Sequence, residues 1–232
     1  MATIAEIAKV NSNGKSPLDA QVQDATTKAT LRLERIQTSR LEVPIVGIAP
    51  LIMHAWSEKA RNQMMQTETV RKKREPRDPD GDFEAGRYRF PDGRDGVPAV
   101  SFKAAMVAAA RFFDGATMTA LKQYLFVLGE GPQQLVPLTF DSVSRREDMV
   151  RVGNGVADIR WRPQYDNWSA VLYVDFVSSA ITPSSVLALV DAAGIGGVGE
   201  WRPSAPKGAT GSYGRFRVAD EKDVQLIVPG TH

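Results

Sequence analysis

Apolar positions gather in a handful of short stretches, and their spacing predicts the elements. Leu41–Ile48 (LEVPIVGI) is apolar and β-branched, closed by Gly47 and Pro50, which predicts a strand. Pro44 within it points to an edge position or an early bulge. Ser57 can open a short helix through Gln66. Ala99–Phe113 (AVSFKAAMVAAARFF) is the strongest helix pattern, with Ser101 as cap and Gly115 as stop. Thr117–Leu128 predicts a second helix with a strand possible at its end. Gln134–Ser144 alternates as a strand does, and Ser169–Val177 (SAVLYVDFV) is a clear strand. Thr182 and Pro183 start a helix over Pro183–Ala193. Tyr213–Val218 is a last strand, and Asp223–Val228 can add one more.

The core order is therefore strand, helix, strand, strand, helix, strand. That is the split βαβ order of a ferredoxin-like α+β domain, the layout of RNA-recognition-motif domains. It predicts an antiparallel sheet with both helices on one face and the other face free to take nucleic acid. Tyr173 and Phe176 on the third strand have opposite parity, so only one of them faces the open side.

Long polar stretches surround this core. Residues 1–40 read as an arm, and residues 41–232 as a single domain with insertions at 51–98 and 145–167. The first insertion contains Arg71, Lys72, Lys73 and Arg74, the densest basic run, followed by an acidic DPDGDFE. That acidic stretch lacks the ligand spacing and terminal Glu of a calcium loop, so no metal is expected. The second insertion carries Arg145, Arg146, Arg151, Arg160 and Arg162 with Trp161, Tyr165 and Trp168. A basic, aromatic hairpin of this kind suits phosphate contact and base stacking.

Composition narrows the chemistry. The 232 residues are 43% hydrophobic and 24% charged, ordinary for a globular domain. There is no cysteine, which excludes disulfides, thiolate metal sites and cysteine nucleophiles. Only His54 and His232 could serve as histidine ligands or bases, so a multi-histidine metal site is excluded. A net charge of +2 makes the distribution of charge matter more than its sum. The apolar runs are too short for a transmembrane helix, and the N-terminus lacks the pattern of a secretory leader. The expected location is the cytoplasm, with no membrane partner and no cofactor.

The segment GIGGVGEWRPSAPKGATGSYGRFRV is the most informative. Gly194, Gly196 and Gly199 match the dinucleotide fingerprint, but a helix precedes the glycines and Glu200-Trp201-Arg202-Pro203 follows, so the context for that reading fails. What remains is a glycine-rich loop between the last helix and the last strand. Gly196 and Gly199 would let backbone N–H groups approach a phosphate. Arg202, Lys207 and Arg215 supply charge, and Trp201 and Tyr213 supply stacking faces.

A glycine-rich loop between the second helix and fourth strand of a ferredoxin-like domain resembles the RAMP superfamily of CRISPR proteins. The insertions at 51–98 and 145–167 resemble the embellishments of its backbone subunits. The stretches Val43–Trp56 (VPIVGIAPLIMHAW), Met149–Ile159 (MVRVGNGVADI) and Leu187–Pro203 (LALVDAAGIGGVGEWRP) resemble a family of tailed-bacteriophage proteins. These resemblances imply an RNA-recognition-type fold and a phage origin, in a bacterial host cytoplasm. The aromatic signature of RNA-recognition motifs is displaced, since its nearest match, Gly211 to Phe216, lies on the last strand.

The expected function is non-enzymatic, sequence-tolerant binding of single-stranded RNA or DNA by copies assembled side by side. Two alternatives stay open. One is a metal-independent endoribonuclease with His54 as general base, and the other a structural phage assembly protein without a nucleic-acid role.

Overall fold

The computed structural model describes residues 35–56, 65, 77–152, 156–206 and 210–223. Most of the N-terminal arm, the Ser57–Gln66 helix apart from Met65, the run Arg71–Arg74, Lys207 and the Asp223–Val228 strand apart from Asp223 lie outside them. The elements below belong to the unit Gln37–His232, and Met1–Ile36 form a separate unit.

In chain order the elements are β1 (Thr38–Gly47), β2 (Leu51–Ile52), α1 (Pro79–Ala85), β3 (Gly96–Pro98) and α2 (Ala99–Ala108, prolonged by a 3-10 turn Ala109–Phe112). They continue with α3 (Met118–Tyr124), β4 (Leu125–Leu128), β5 (Leu135–Pro137), β6 (Ser142–Val152), β7 (Val156–Asp166), β8 (Ser169–Val177), α4 (Pro183–Gly196) and β9 (Phe216–Val218).

The main sheet has the order β4-β8-β1-β9, and every neighbouring pair is antiparallel. With α2 between β1 and β4, and α4 between β8 and β9, this is the ferredoxin-like arrangement of two split βαβ units. On β8, Ala170, Leu172, Val174 and Phe176 are buried and Tyr173 is exposed, as the period of two requires. The helices cover that buried face. Phe102, Ala105 and Met106 of α2 and Val186, Leu189, Val190 and Ala193 of α4 point into it at helical spacing. Phe102 meets Phe216 edge-on at 5.9 Å, and Trp168 meets Phe216 at 6.0 Å. Burying each such side chain contributes about 1.5–3 kcal/mol. Thr182 caps α4 by accepting from the Ser185 N–H at 3.2 Å, with Pro183 in the first turn.

Several expectations need correction. The second strand of the core is Leu125–Leu128, which follows α3 directly, and Leu125 is fully buried opposite Phe176. Gln134–Ser144 divides instead. Leu135–Pro137 pairs with β3, and Ser142 begins a different sheet. Ser101 does not cap α2. The helix starts at Ala99, whose N–H donates to the Gln134 carbonyl at 2.8 Å, so the turn entering β5 satisfies that donor. Helix α4 runs three residues past Ala193, and β9 is shorter than Tyr213–Val218.

Pro44 sits in the central strand, not at an edge. Its carbonyl accepts from the Ala219 N–H at 2.9 Å, on the β9 side. In an antiparallel strand a residue's N–H and C=O point the same way, so the missing N–H also falls on that side. The β9 ladder has ended there, because it covers only Ile45–Gly47. No bond to β8 is lost.

A second sheet, β2-β7-β6, carries the basic insertion as a hairpin of two 11-residue strands. β2 pairs with Tyr165 and Gln164 alone, so the hairpin continues beyond that point as a two-stranded ribbon with β6 at its edge. Tyr165 and Trp168, grouped in the sequence with the binding aromatics, are core residues. Among the described residues no helix is long and apolar enough to cross a membrane.

Candidate nucleic-acid interface

The ribbon's register divides its side chains by parity. Arg146 lies opposite Arg162, Asp148 opposite Arg160 and Ser144 opposite Gln164, all on one face. Glu147 opposite Trp161 and Met149 opposite Ile159 occupy the other. Arg160 and Arg162 therefore act together, while Trp161 points away and donates its indole N–H to Glu147 at 2.9 Å. Met149 and Ile159 beside it are exposed. Arg151 is exposed at the outer end.

The glycine-rich loop packs under the first of these faces. Helix α4 stops at Gly197, whose φ of 69° suits glycine. The Glu200 N–H donates to the Ile52 carbonyl at 2.8 Å, Gly214 N–H to Pro50 at 2.8 Å, and Val198 N–H to Gly214 at 3.0 Å. These N–H groups are committed to protein carbonyls, so they do not cradle a phosphate. The glycines serve close packing instead. Gly199 has φ 77°, and a Cβ there would run into the Ile52 carbonyl oxygen. Gly196 is different from what the motif suggests, because it is the last helical residue and a Cβ would meet only Ser204 at ordinary contact distance. Arg202 is half-buried and donates back to the Gly199 carbonyl at 2.6 Å, which ties down the turn. The Arg215 carbonyl accepts from Ile48 N–H at 2.9 Å, fixing the entry to β9.

Loop and ribbon converge on two aromatic rings. Trp201 and Tyr213 lie 6.2 Å apart, and the Arg146 guanidinium stands over both, 5.2 and 4.9 Å from their centroids. Arg146 also donates to Tyr213 Oη at 2.9 Å, Gln164 Oε1 at 3.1 Å and Asp148 Oδ1 at 2.7 Å. Arg162 lies 5.7 Å from the Trp201 ring and is only 4% exposed. Its carboxylate neighbours are at ion-pair distance but beyond hydrogen bonding, Asp148 at 3.7 Å and Glu200 at 3.8 Å. Burial, opposed by those two acids, lowers its pKa from the usual arginine value.

His54 joins the cluster from the segment after β2. Arg160 Nη1 lies 2.9 Å from its Nε2. A guanidinium can only donate, so Nε2 is the acceptor and the neutral ring carries its proton on Nδ1. Burial first, then the charges of Arg160 and Arg162, lower the His54 pKa below the usual histidine value. The sequence singled out Arg160, Arg162, Trp201 and Tyr213, which the fold brings together. It named Arg146 only within the hairpin's basic content, and gave no role to Asp148 or Glu200. The signal for the first two was the two-residue spacing Arg146, Asp148 against Arg160, Arg162.

The open face of the main sheet has a different character. Arg40 holds Asp175 through two bonds of 2.6 and 2.9 Å, Glu42 lies opposite Tyr173, and Phe126 opposite Asp175. Its charges are balanced or acidic.

No protein-family model matches the chain, and no curated protein matches it. Among solved structures, the crystal structure of Cmr6 from Pyrococcus furiosus aligns with 80% of this chain and 100% of that chain, at 8% identity and a TM-score of 0.38. The fold assignment rests on the strand order and register of this chain.

Proposed function

We propose that this chain is a sequence-tolerant binder of single-stranded nucleic acid, RNA or DNA, of phage origin, acting in the cytoplasm of its bacterial host. One observation carries this reading. Two basic, aromatic segments distant in sequence meet at one place, with Arg146 bonded to Tyr213 across 67 residues and stacked on Trp201. Guanidinium groups beside flat rings are what a phosphate backbone with splayed bases engages. The balanced charge of the open sheet face favours backbone contact at the ribbon over base reading on the sheet.

Side-by-side assembly along the strand is part of the proposal. Met149 and Ile159 expose apolar surface on the ribbon face that the cluster does not use, and a two-stranded ribbon gains stability from a neighbour. Binding is favoured over cleavage by the state of His54, whose Nε2 lone pair is occupied by Arg160. Titration of labelled single-stranded RNA and DNA at increasing salt tests the reading. Each neutralised phosphate adds about −0.7 to the log–log slope. Affinity independent of salt would reject it.

A further inference from the structure

Four buried polar atoms in this cluster have no hydrogen-bond partner among the described residues: His54 Nδ1, Asp148 Oδ2, Arg162 Nε and Arg162 Nη1. Native proteins rarely leave such atoms unpaired, and a cluster of them marks a place for water, an ion or a ligand. Charges and donors together decide which. Arg146, Arg160 and Arg162 face Asp148 and Glu200, while Asp158 is shared between Arg77 and Arg160. Asp82 also acts on His54, so the charges nearly cancel, but three of the four unpaired atoms, His54 Nδ1 and Arg162 Nε and Nη1, are donors and call for an acceptor such as an anion. Arg162 also lies against the Trp201 ring, which restricts where the guanidinium plane can turn.

We infer that His54, Arg160, Arg162 and Trp201 form a subsite for one phosphate group. The inference rests on the nucleic-acid reading and names the group held at that site. A third of the Arg160 side chain is exposed while Arg162 is buried, so the phosphate enters beside Arg160. The phosphate oxygens accept from Arg162 Nε and Nη1 and from Arg160 Nη2, while Arg160 Nη1 keeps its bond to His54 Nε2. A planar fork matches phosphate oxygens in this way, which a lysine does not. The same chemistry serves a polynucleotide backbone or a free phosphate ion.

His54 is a built-in reporter, because the only other histidine is His232. The experiment follows the His54 ring by nitrogen-edited NMR while inorganic phosphate replaces chloride at constant ionic strength. A second arm adds a short single-stranded oligonucleotide in chloride buffer. The expected result is a saturable shift of the His54 ring in both arms, with a phosphate dissociation constant raised at least tenfold in Arg160→Gln. Arg162→Met, matched in length and apolar, should abolish the response, and Arg160→Gln keeps the test interpretable if Arg162→Met fails to fold. No saturable shift with phosphate, or one unchanged in folded Arg160→Gln, overturns the subsite. If the oligonucleotide then still binds by fluorescence anisotropy, the nucleic-acid reading survives without it. If phosphate titrates His54 but the oligonucleotide does not bind, the subsite stands for free phosphate and the nucleic-acid reading falls.

Discussion

Gly199 and Ile52 are packed backbone against backbone: the Ile52 carbonyl accepts the N–H of Glu200 and leaves no room for a side chain on Gly199. Gly199 also holds a φ of 77°. Gly199→Ala should therefore destabilise the protein by about 2 kcal/mol or more, from the left-handed conformation and the collision together. Gly196→Ala, in a helix with space around it, should be neutral or stabilising by up to about 1 kcal/mol. Urea unfolding midpoints of the two variants would separate them. Equal effects would mean that the loop does not pack on β2 in this way.

Asp95 is 2% exposed and is gripped by Arg87 through bonds of 2.6 to 3.2 Å. Removing Asp95 takes from Arg87 its buried partner and leaves it only the exposed Glu84 at 3.3 Å, at a cost approaching the about 3–5 kcal/mol of a broken buried pair. Asp95→Ala should lower the thermal midpoint strongly. Arg40→Ala, which breaks an exposed pair with Asp175 on the open sheet face, should barely move it. The contrast is measurable by calorimetry.

Stability should also depend on the protonation of His54. Its folded pKa lies below the unfolded value of 6.5, so the unfolded chain binds more protons as pH falls past that value. Stability therefore falls as pH drops from about 7 through 6.5, and the loss levels off once pH is below the folded pKa. His54→Gln keeps an acceptor for Arg160 and has no titrating ring. Its unfolding midpoint should lose less than the parent's between pH 7.5 and 5.5, and identical losses would refute the argument.

Ribbon parity predicts a division among substitutions that the sequence treats alike. Arg160→Ala should weaken binding to single-stranded RNA and DNA together and reduce the salt slope by about 0.7. Trp161→Phe, on the opposite face beside Glu147, should leave both unchanged. Fluorescence anisotropy at several salt concentrations reads both quantities. A larger effect from Trp161 than from Arg160 would place the nucleic acid on the other face.

The fold was legible where one local rule decided the outcome. Thr182 and Pro183 announced α4, and the alternation in Ser169–Val177 put Tyr173 and Phe176 on opposite faces, of which the fold leaves Tyr173 open and buries Phe176. It was not legible where a distant partner decided. Leu125–Leu128 reads as the end of a helix until β8 is placed beside it. Pro44 reads as an edge signal until the length of β9 is known. At the site, basic and aromatic content was visible, but the pairing of Arg146 with Trp201 depends on the ribbon register and on a loop far away in sequence. The glycines pointed to a phosphate cradle because only the fold reveals how their N–H groups are spent.

Among the described residues β6 is the edge strand of its sheet, which makes it a template for another strand. Its middle is four consecutive charges, Arg145, Arg146, Glu147 and Asp148. If two copies met here about a two-fold axis, one residue would face its own duplicate at the centre. In full overlap that residue is Glu147, so two carboxylates would meet at the centre of the seam, flanked on both sides by Arg146 opposite Asp148. The order of charges along β6 would therefore select the register of any strand added at this edge, since only a few alignments set Arg opposite Asp or Glu.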